Sequence, residues 1–325
     1  MIKRFLASIM AVAGLFSLSG CTAAAPDVTP ETAMVDLLGE IRQYTQERDP
    51  HFQILGNGAA GLLEETPDNS AANVQRLIAS MDGFLTESVY YTSDEQGKAK
   101  PQADDYVAYL HAMFAKPKAT GKAVWTLDYI KDPQSQDKDE KQGRADGYVS
   151  MAVANQKLDI IPVRQVPFTS DKPIYRIQDA QNFLFLLNPE SFSTKAEYLT
   201  ALDKTPYDAI VVDLYYGDSP LTKADVDSLR TKPQGGRRLI LAYMSLGEAA
   251  DYRPYWKSEW NTKRPDWIRK PNPDWPGSYK VCYWSPQWKH LLYGHDGAYL
   301  DQIMGAGFDG VFLDVIDAWQ YFAKQ

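Results

Sequence analysis

The sequence has few of the residues that build disulfides and metal centres. Its 325 residues contain two cysteines, Cys21 and Cys282, and Cys21 directly follows a predicted targeting segment. We therefore expect no intramolecular disulfide, and a fold that is held together by core burial. The four histidines lack the paired spacing of zinc ligands, so we predict no bound metal. They are His51, His111, His290 and His295.

Other chemical signatures are also missing. No Gly-x-Ser-x-Gly sequence occurs, which argues against a serine nucleophile on a sharp turn after a strand. No glycine-rich loop follows a predicted strand, so nucleotide binding has no support and we expect no cofactor. The formal net charge is -8, which disfavours nucleic acid or an anionic membrane surface as a partner.

The N-terminus is typical of an exported lipoprotein. A basic start precedes an apolar run, residues 5–16, that is too short to span a bilayer. Residues 18–21 resemble a lipobox, which predicts cleavage before Cys21 and lipid attachment to its thiol. An ordinary secretory signal with an incidental cysteine is the alternative. We assign residues 1–20 to the signal peptide and 21–30 to a tether, and expect a bacterial envelope protein that crosses the inner membrane and is lipid-anchored on the periplasmic side or at the outer membrane.

Helical patterns alternate with short apolar runs from residue 31 onward. This alternation predicts parallel strands joined by crossover helices. The predicted strands are residues 52–55, 81–88, 123–130, 148–154, 183–187, 209–215, 238–244 and 308–314. Eight strands suit a (β/α)8 TIM barrel, an α/β fold that carries its chemistry at the C-terminal strand ends.

The remaining segments complete a single predicted domain over residues 31–325. An irregular, proline-containing connector occupies residues 161–180, and an insertion rich in tryptophan, tyrosine and proline occupies residues 251–287. For residues 148–154 a helix is also compatible with the pattern. The predicted helices are residues 31–48, 72–79, 104–116, 137–145, 195–202, 222–230 and 290–307.

The C-terminal half resembles a known family. The matching segments are residues 182–188, 211–213, 241–249, 251–256, 272–277, 283–284 and 307–321. Together they resemble glycoside hydrolase family 114, the endo-α-1,4-polygalactosaminidase-like TIM barrels. The resemblance implies that residues 181–325 correspond to the first four strands of the family barrel.

Residues 31–160 resemble the second half of such a barrel, which here precedes the first half in the sequence. The segments 52–58, 81–91 and 125–129 are similar to the family's strands five, six and seven. The order predicts a circularly permuted barrel, cut after the fourth family strand, in which the strand that ends at Asp314 lies beside the strand that begins at Phe52. The alternative is a family half-barrel fused to an unrelated N-terminal domain.

The resemblance also implies a pair of catalytic carboxyl groups. Asp314 matches the nucleophile at the end of family strand four, and Glu87 matches the acid/base at the end of strand six. A helix cap for Asp314 and a rim position for Glu87 are the structural alternatives. Substrate binding is assigned to further acids and aromatic residues, for which capping or core packing is the alternative. These are Asp213, Glu248, Asp128, Asp317, Tyr243, Tyr283, Trp284 and Trp319.

The functional hypothesis is a retaining endo-glycosidase, a monomer that hydrolyses an α-1,4-linked galactosamine-type polysaccharide. Several carboxylates around one mouth would favour a cationic sugar. A carbohydrate-binding surface lipoprotein without turnover is the alternative. Geometry separates the two, because retaining catalysis requires carboxyl groups about 5 Å apart and inverting catalysis about 6.5–9.5 Å.

Overall fold

Eight parallel strands form one sheet in the computed structural model, which describes residues 28–93 and 98–324. All eight predicted strands are present. They are β1 (Gln53–Asn57), β2 (Gly83–Glu87), β3 (Ala123–Tyr129), β4 (Val149–Val153), β5 (Phe183–Leu186), β6 (Ala209–Val212), β7 (Leu239–Ser245) and β8 (Gly310–Asp314). The predicted lipidation residue, Cys21, lies outside the described residues.

The sheet has the strand order β4-β3-β2-β1-β8-β7-β6-β5. It curls until its two end strands lie against each other, so the barrel is nearly closed. The predicted neighbour of β8 is confirmed, because Gly310 pairs with Gln53 of β1 on one side and with Leu241 of β7 on the other. Residues before and after the connector therefore supply four strands each to one TIM-like barrel.

Helices follow most strands and cover the outside of the barrel. They are α1 (Pro30–Gln46), α2 (Ala71–Ser80), α3 (Asp104–Ala119), α4 (Pro133–Ala145), α5 (Lys195–Asp203), α6 (Lys223–Ser228), α7 (Pro286–Leu292), α8 (Tyr299–Gly305) and α9 (Trp319–Phe322). Helix α1 packs against α9, so the first and last described helices are neighbours. Within the described ranges, no helix is both long enough and apolar enough to cross a membrane.

The predicted helix over residues 290–307 is wrong in its middle, where the chain breaks into α7 and α8. Tyr293 is extended after α7, and Gly294 follows with φ at 110°, a value that side chains rarely adopt. The break lets the turn reach back to α8, where the Gly294 amide donates to Asp301 Oδ2 over 3.0 Å.

The aromatic insertion has a small sheet and core of its own, which periodicity did not predict. Its antiparallel strands are Glu248–Ala250, Ser278–Val281 and Ile268–Pro271. Trp267 and Trp288 pack with ring centroids 5.6 Å apart, and Tyr255 meets Trp288 at 5.8 Å. Most of the aromatic residues here stabilise the insertion.

The barrel interior is filled by aromatic rings. Trp125 stacks on Phe183 with centroids 4.5 Å apart, and Phe185 meets Phe312 edge-to-face at 4.9 Å. Ile177, in the connector, closes the N-terminal end of the barrel, where a Cβ on Gly83 would meet its side chain at 2.7 Å. Because the interior is packed, space for a ligand is left at the C-terminal strand ends, which we call the mouth.

Candidate active site

Five neighbouring strands each place one polar side chain at the mouth. In sheet order β7, β8, β1, β2 and β3 contribute Tyr243, Asp314, Asn57, Glu87 and Tyr129. Parallel strands end on the same edge of a sheet, so residues that are far apart in sequence meet there. The two predicted catalytic carboxyl groups are thus brought together, with β1 between their strands.

Asn57 bridges the two carboxyl groups. Its Nδ2 atom lies 2.9 Å from Glu87 Oε1 and 3.0 Å from Asp314 Oδ1. These two oxygens therefore lie no more than about 6 Å from each other. The two N–H bonds of an amide diverge by about 120°, so the expected distance between the two oxygens is about 5 Å. This spacing between one oxygen of each group is consistent with the roughly 5–5.5 Å between the carboxyl groups of a retaining glycosidase.

Each carboxyl group also accepts a hydrogen bond from its own tyrosine. Tyr129 Oη donates to Glu87 Oε2 over 3.1 Å, and the Tyr243 hydroxyl donates to Asp314. The backbone amide of Val315 adds a third donor to Asp314, 2.8 Å from Oδ1. Asp314 is therefore the more strongly hydrogen-bonded member of the pair.

Burial raises the pKa of both carboxyl groups, and their hydrogen-bond donors oppose that rise. Burial raises the pKa of Glu87 to about 7, and the negative charge of Asp314 contributes to this rise. Burial also raises the pKa of Asp314, but its three donors oppose that effect and stabilise the carboxylate. Both carboxyl groups are thus less acidic than usual, and Asp314 has more hydrogen-bond donors to stabilise its charged form than Glu87 has.

The residue after each predicted catalytic carboxyl group has an unusual backbone conformation. Ser88 has φ at 54° and Val315 has φ at 60°, both in the left-handed region. For a β-branched residue this is rare, and it costs about 1–3 kcal/mol. The amide N–H of Val315 donates to the Asp314 carboxylate at this turn.

Two of the predicted substrate-binding acids are already paired with cations. Asp213 accepts hydrogen bonds from both terminal guanidinium nitrogens of Arg253, with Nη1 2.7 Å from Oδ1. Glu248 accepts from Asn272 Nδ2 over 2.9 Å and forms an ion pair with Lys280. Their charges are largely balanced, so the mouth is less negative than a count of its acids predicts.

Asp317 and Asp128 lie in contrasting surroundings. Asp317 lies three residues after Asp314 and keeps an exposed surface, while partial burial of its carboxyl group and the Asp314 charge raise its pKa. Asp128 is fully buried, and its Oδ1 accepts the backbone amides of Tyr90 and Tyr91 at 3.2 and 3.0 Å. Asp128 therefore anchors the segment after β2 and does not line the mouth.

The predicted stacking residues are mostly packed. Tyr283 is fully buried, and its hydroxyl donates to the carbonyl of Pro30 over 2.7 Å. Trp284 packs on Phe322 with centroids 4.6 Å apart, and Trp319 covers Gly61. Tyr243 reaches the catalytic pair, through its hydrogen bond to Asp314.

Asn57 and Tyr129 contact the predicted catalytic pair, and the sequence pattern did not point to either residue. Both are polar residues at strand ends, and Asn57 lies between two glycines. Treating every strand-end polar side chain as a candidate would have found them. Within the described ranges, no group of three or more histidine, cysteine or acidic side chains is arranged to hold a metal ion.

Comparison with known proteins finds a match between part of the chain and a family of enzymes. Residues 182–325, which hold β5 to β8 and Asp314, match the model of glycoside-hydrolase family GH114. Glu87 and Asn57 lie outside the matched residues.

Three relatives, all described as uncharacterized proteins, are similar to this chain. One from Deinococcus radiodurans is 40% identical over 123 residues, which is 38% of this chain and 37% of the relative. One from Methanocaldococcus jannaschii is 38% identical over 115 residues, 35% of this chain and 32% of the relative. One from Thermotoga maritima is 42% identical over 85 residues, 26% and 25% of the two chains. The chain thus spans between a quarter and just over a third of the length of these relatives.

Proposed function

We propose that the protein is a retaining endo-glycosidase, because residues 182–325 match the model of glycoside-hydrolase family GH114. The observation that carries the proposal is the bridge from Asn57 to both Glu87 and Asp314, which holds one oxygen of each carboxyl group within the short spacing that a retaining pair needs. A protein that only binds carbohydrate would not need two buried carboxyl groups held this close together.

In the first step the Asp314 carboxylate attacks the anomeric carbon of the bound sugar. Glu87 gives its proton to the glycosidic oxygen, the bond between that oxygen and the anomeric carbon breaks, and the shortened polymer leaves with a new hydroxyl group. An ester then joins Asp314 to the sugar. Asn57 acts as a positioning residue, because one amide orients both carboxyl groups.

In the second step Glu87 acts as a base. Its carboxylate takes a proton from water, the water oxygen attacks the anomeric carbon, and the ester to Asp314 breaks. Glu87 regains its proton and Asp314 its charge, so the enzyme returns to its starting state. Two displacements at one carbon retain the anomeric configuration.

We propose an α-1,4-linked galactosamine-type polysaccharide as the substrate. Asp213 and Glu248 are neutralised by Arg253 and Lys280, so the attraction for a cation rests on Asp314 and the exposed Asp317. Two carboxylates one turn apart repel each other, and a sugar ammonium group between them would relieve that repulsion.

The experiment is to incubate the purified protein with deacetylated and fully acetylated α-1,4-galactosaminan, and with deacetylated chitin as a control for linkage. We expect cleavage of the deacetylated galactosaminan into a mixture of short oligomers, as internal cleavage produces. Monosaccharide as the first product would contradict the endo assignment. Faster cleavage of the acetylated polymer would contradict the role of the ammonium group.

The rate should depend on pH in a bell shape. Glu87 must be protonated to act as an acid, so kcat/KM should fall about tenfold per pH unit above its pKa of about 7. At low pH, Asp314 takes up a proton and loses its nucleophilicity, so the rate should fall again. Tyr129→Phe removes a hydrogen bond that stabilises ionised Glu87, and should move the alkaline limb to higher pH. A rate that keeps rising from pH 7 to 9 would contradict the assignment of the acid.

We propose that the protein acts at the cell envelope through lipid attached to Cys21. The supporting observation is the lipobox-like sequence at residues 18–21. Cells fed a labelled fatty acid should incorporate label into the wild-type protein and lose it in Cys21→Ala. Equal labelling of both proteins would contradict the proposal, and Cys282→Ala serves as the control for the other cysteine.

A further inference from the structure

We propose that Tyr252 and Trp275 form a platform on which sugar units beyond the cleavage site stack. The inference rests on the proposed function and extends it to a binding subsite. Both rings are large and open to solvent, with Tyr252 63% and Trp275 49% exposed, whereas Tyr283 in the same insertion is fully buried. Exposed aromatic rings that lie close together mark binding surfaces more often than isolated ones.

Backbone hydrogen bonds join the two segments that carry these rings. The Asp251 amide donates to the Gly277 carbonyl over 2.8 Å, which joins the segment before Tyr252 to the turn that carries Trp275. The Ser278 amide donates to the Trp275 carbonyl over 3.0 Å, so the turn is closed on itself.

Gly277 allows this close approach. Its φ is 91°, and a Cβ at this position would lie 2.8 Å from Asp251 Oδ1 and 3.4 Å from the Tyr252 ring. The Tyr252 hydroxyl forms a hydrogen bond to Ser278, which fixes the ring against the turn. The platform is therefore ordered before a ligand arrives, which lowers the entropic cost of binding.

The platform is continuous with the mouth. Asn272, at the start of the same turn, donates to Glu248 Oε1 over 2.9 Å. Tyr252 lines one pocket together with Tyr243, which is hydrogen-bonded to Asp314. A polymer chain that is cleaved at Asp314 can therefore continue over these rings.

The chemistry fits a polymer of amino sugars. The C–H face of a pyranose ring is apolar and packs on an aromatic face, and an ammonium group on that sugar adds attraction to the ring electrons. Such contacts add affinity with each sugar unit covered. The platform should therefore discriminate polymer from monosaccharide.

The test measures binding to protein that carries Asp314→Asn, so that the ligand is not consumed. Titrations with deacetylated α-1,4-galactosaminan and with free galactosamine compare this protein with variants that also carry Trp275→Ala or Tyr252→Ala. We expect each ring removal to raise the Kd for the polymer about 10-fold. The Kd for the monosaccharide should rise by a factor that is at least about fivefold smaller.

The matched control is Tyr175→Ala. Tyr175 is 62% exposed, like Tyr252, but its ring lies near Arg237 at the opposite end of the barrel, and its removal should leave both Kd values unchanged. The proposal would be overturned if removing a ring weakened the binding of polymer and monosaccharide equally, or left the Kd for the polymer unchanged. It would also be overturned if the Asp314→Asn protein did not bind the polymer. If wild-type protein binds the polymer through these rings but does not cleave it, the platform stands and the proposed hydrolysis fails.

Discussion

Replacing Asp314 by asparagine should abolish hydrolysis, with kcat lowered about 10⁴-fold or more. The amide cannot form the ester to the anomeric carbon, so the two-step route is lost. The side chain has nearly the same shape and can still accept from Asn57 and Val315. The measurement is kcat on deacetylated galactosaminan. The control is Asp105→Asn, which makes the same substitution at an exposed residue.

The same variant should fold at least as stably as the wild type. Burial raises the pKa of Asp314, so the charged form that prevails at pH values above that pKa is less favourable in the folded protein than in the unfolded chain. Asparagine removes that charge, and we expect a change of less than about 1 kcal/mol or a gain in the free energy of unfolding. Normal turnover would remove Asp314 from the mechanism, and an unfolded variant would show that its role is structural.

Replacing Glu87 by glutamine should slow polymer cleavage about 10²–10⁴-fold, because the leaving oxygen receives no proton. An aryl α-galactosaminide whose phenol is acidic needs no proton to leave, so the first step should lose much less rate with that substrate. The measurement is the burst of phenol release, compared between wild type and Glu87→Gln. The alkaline limb of the pH profile should also disappear, since it reports the ionisation of Glu87.

Equal losses for the polymer and for the aryl substrate would contradict the acid role of Glu87. Tyr129→Phe is the matched control, because it removes a contact to Glu87 and keeps the carboxyl group. That variant should change the pH dependence and retain most of the rate at low pH.

The strands of the barrel could be predicted because they depend on signals that are local in sequence. Strands that are buried on both faces are short apolar runs, and β8 with its terminal Asp314 shows this pattern in five residues. The place of Glu87 beside Asp314 came from the family resemblance, and the sheet order brings both residues to one mouth. The circular permutation stays a prediction, because the barrel order is cyclic wherever a chain begins.

The partners of the acids could not be predicted, because each contact joins distant parts of the chain. Asp213 meets Arg253 across 40 residues, and Glu248 meets Lys280 across two strands of the small sheet. A sequence pattern shows that an acid lies at a strand end, but it does not show which cation reaches it. The negative charge at the mouth was overestimated because these cations were not foreseen.

The burial of the aromatic residues could not be predicted either. The pattern places Tyr283 and Trp275 in one aromatic-rich insertion, but only the fold decides that Tyr283 is buried under the first helix and that Trp275 is exposed. Asn57 was missed because an amide has no charge to mark it. Its importance depends on β1 lying between β2 and β8.

The stereochemistry of the first product tests the retaining pair most directly. Proton NMR of deacetylated α-1,4-galactosaminan, recorded in the first minutes after enzyme is added, distinguishes the two anomers before they interconvert. The spacing set by Asn57 predicts that the α-anomer forms first and that the β-anomer grows in by mutarotation. Release of the β-anomer first would show that water attacks directly, and would contradict the assignment of Asp314 as the nucleophile.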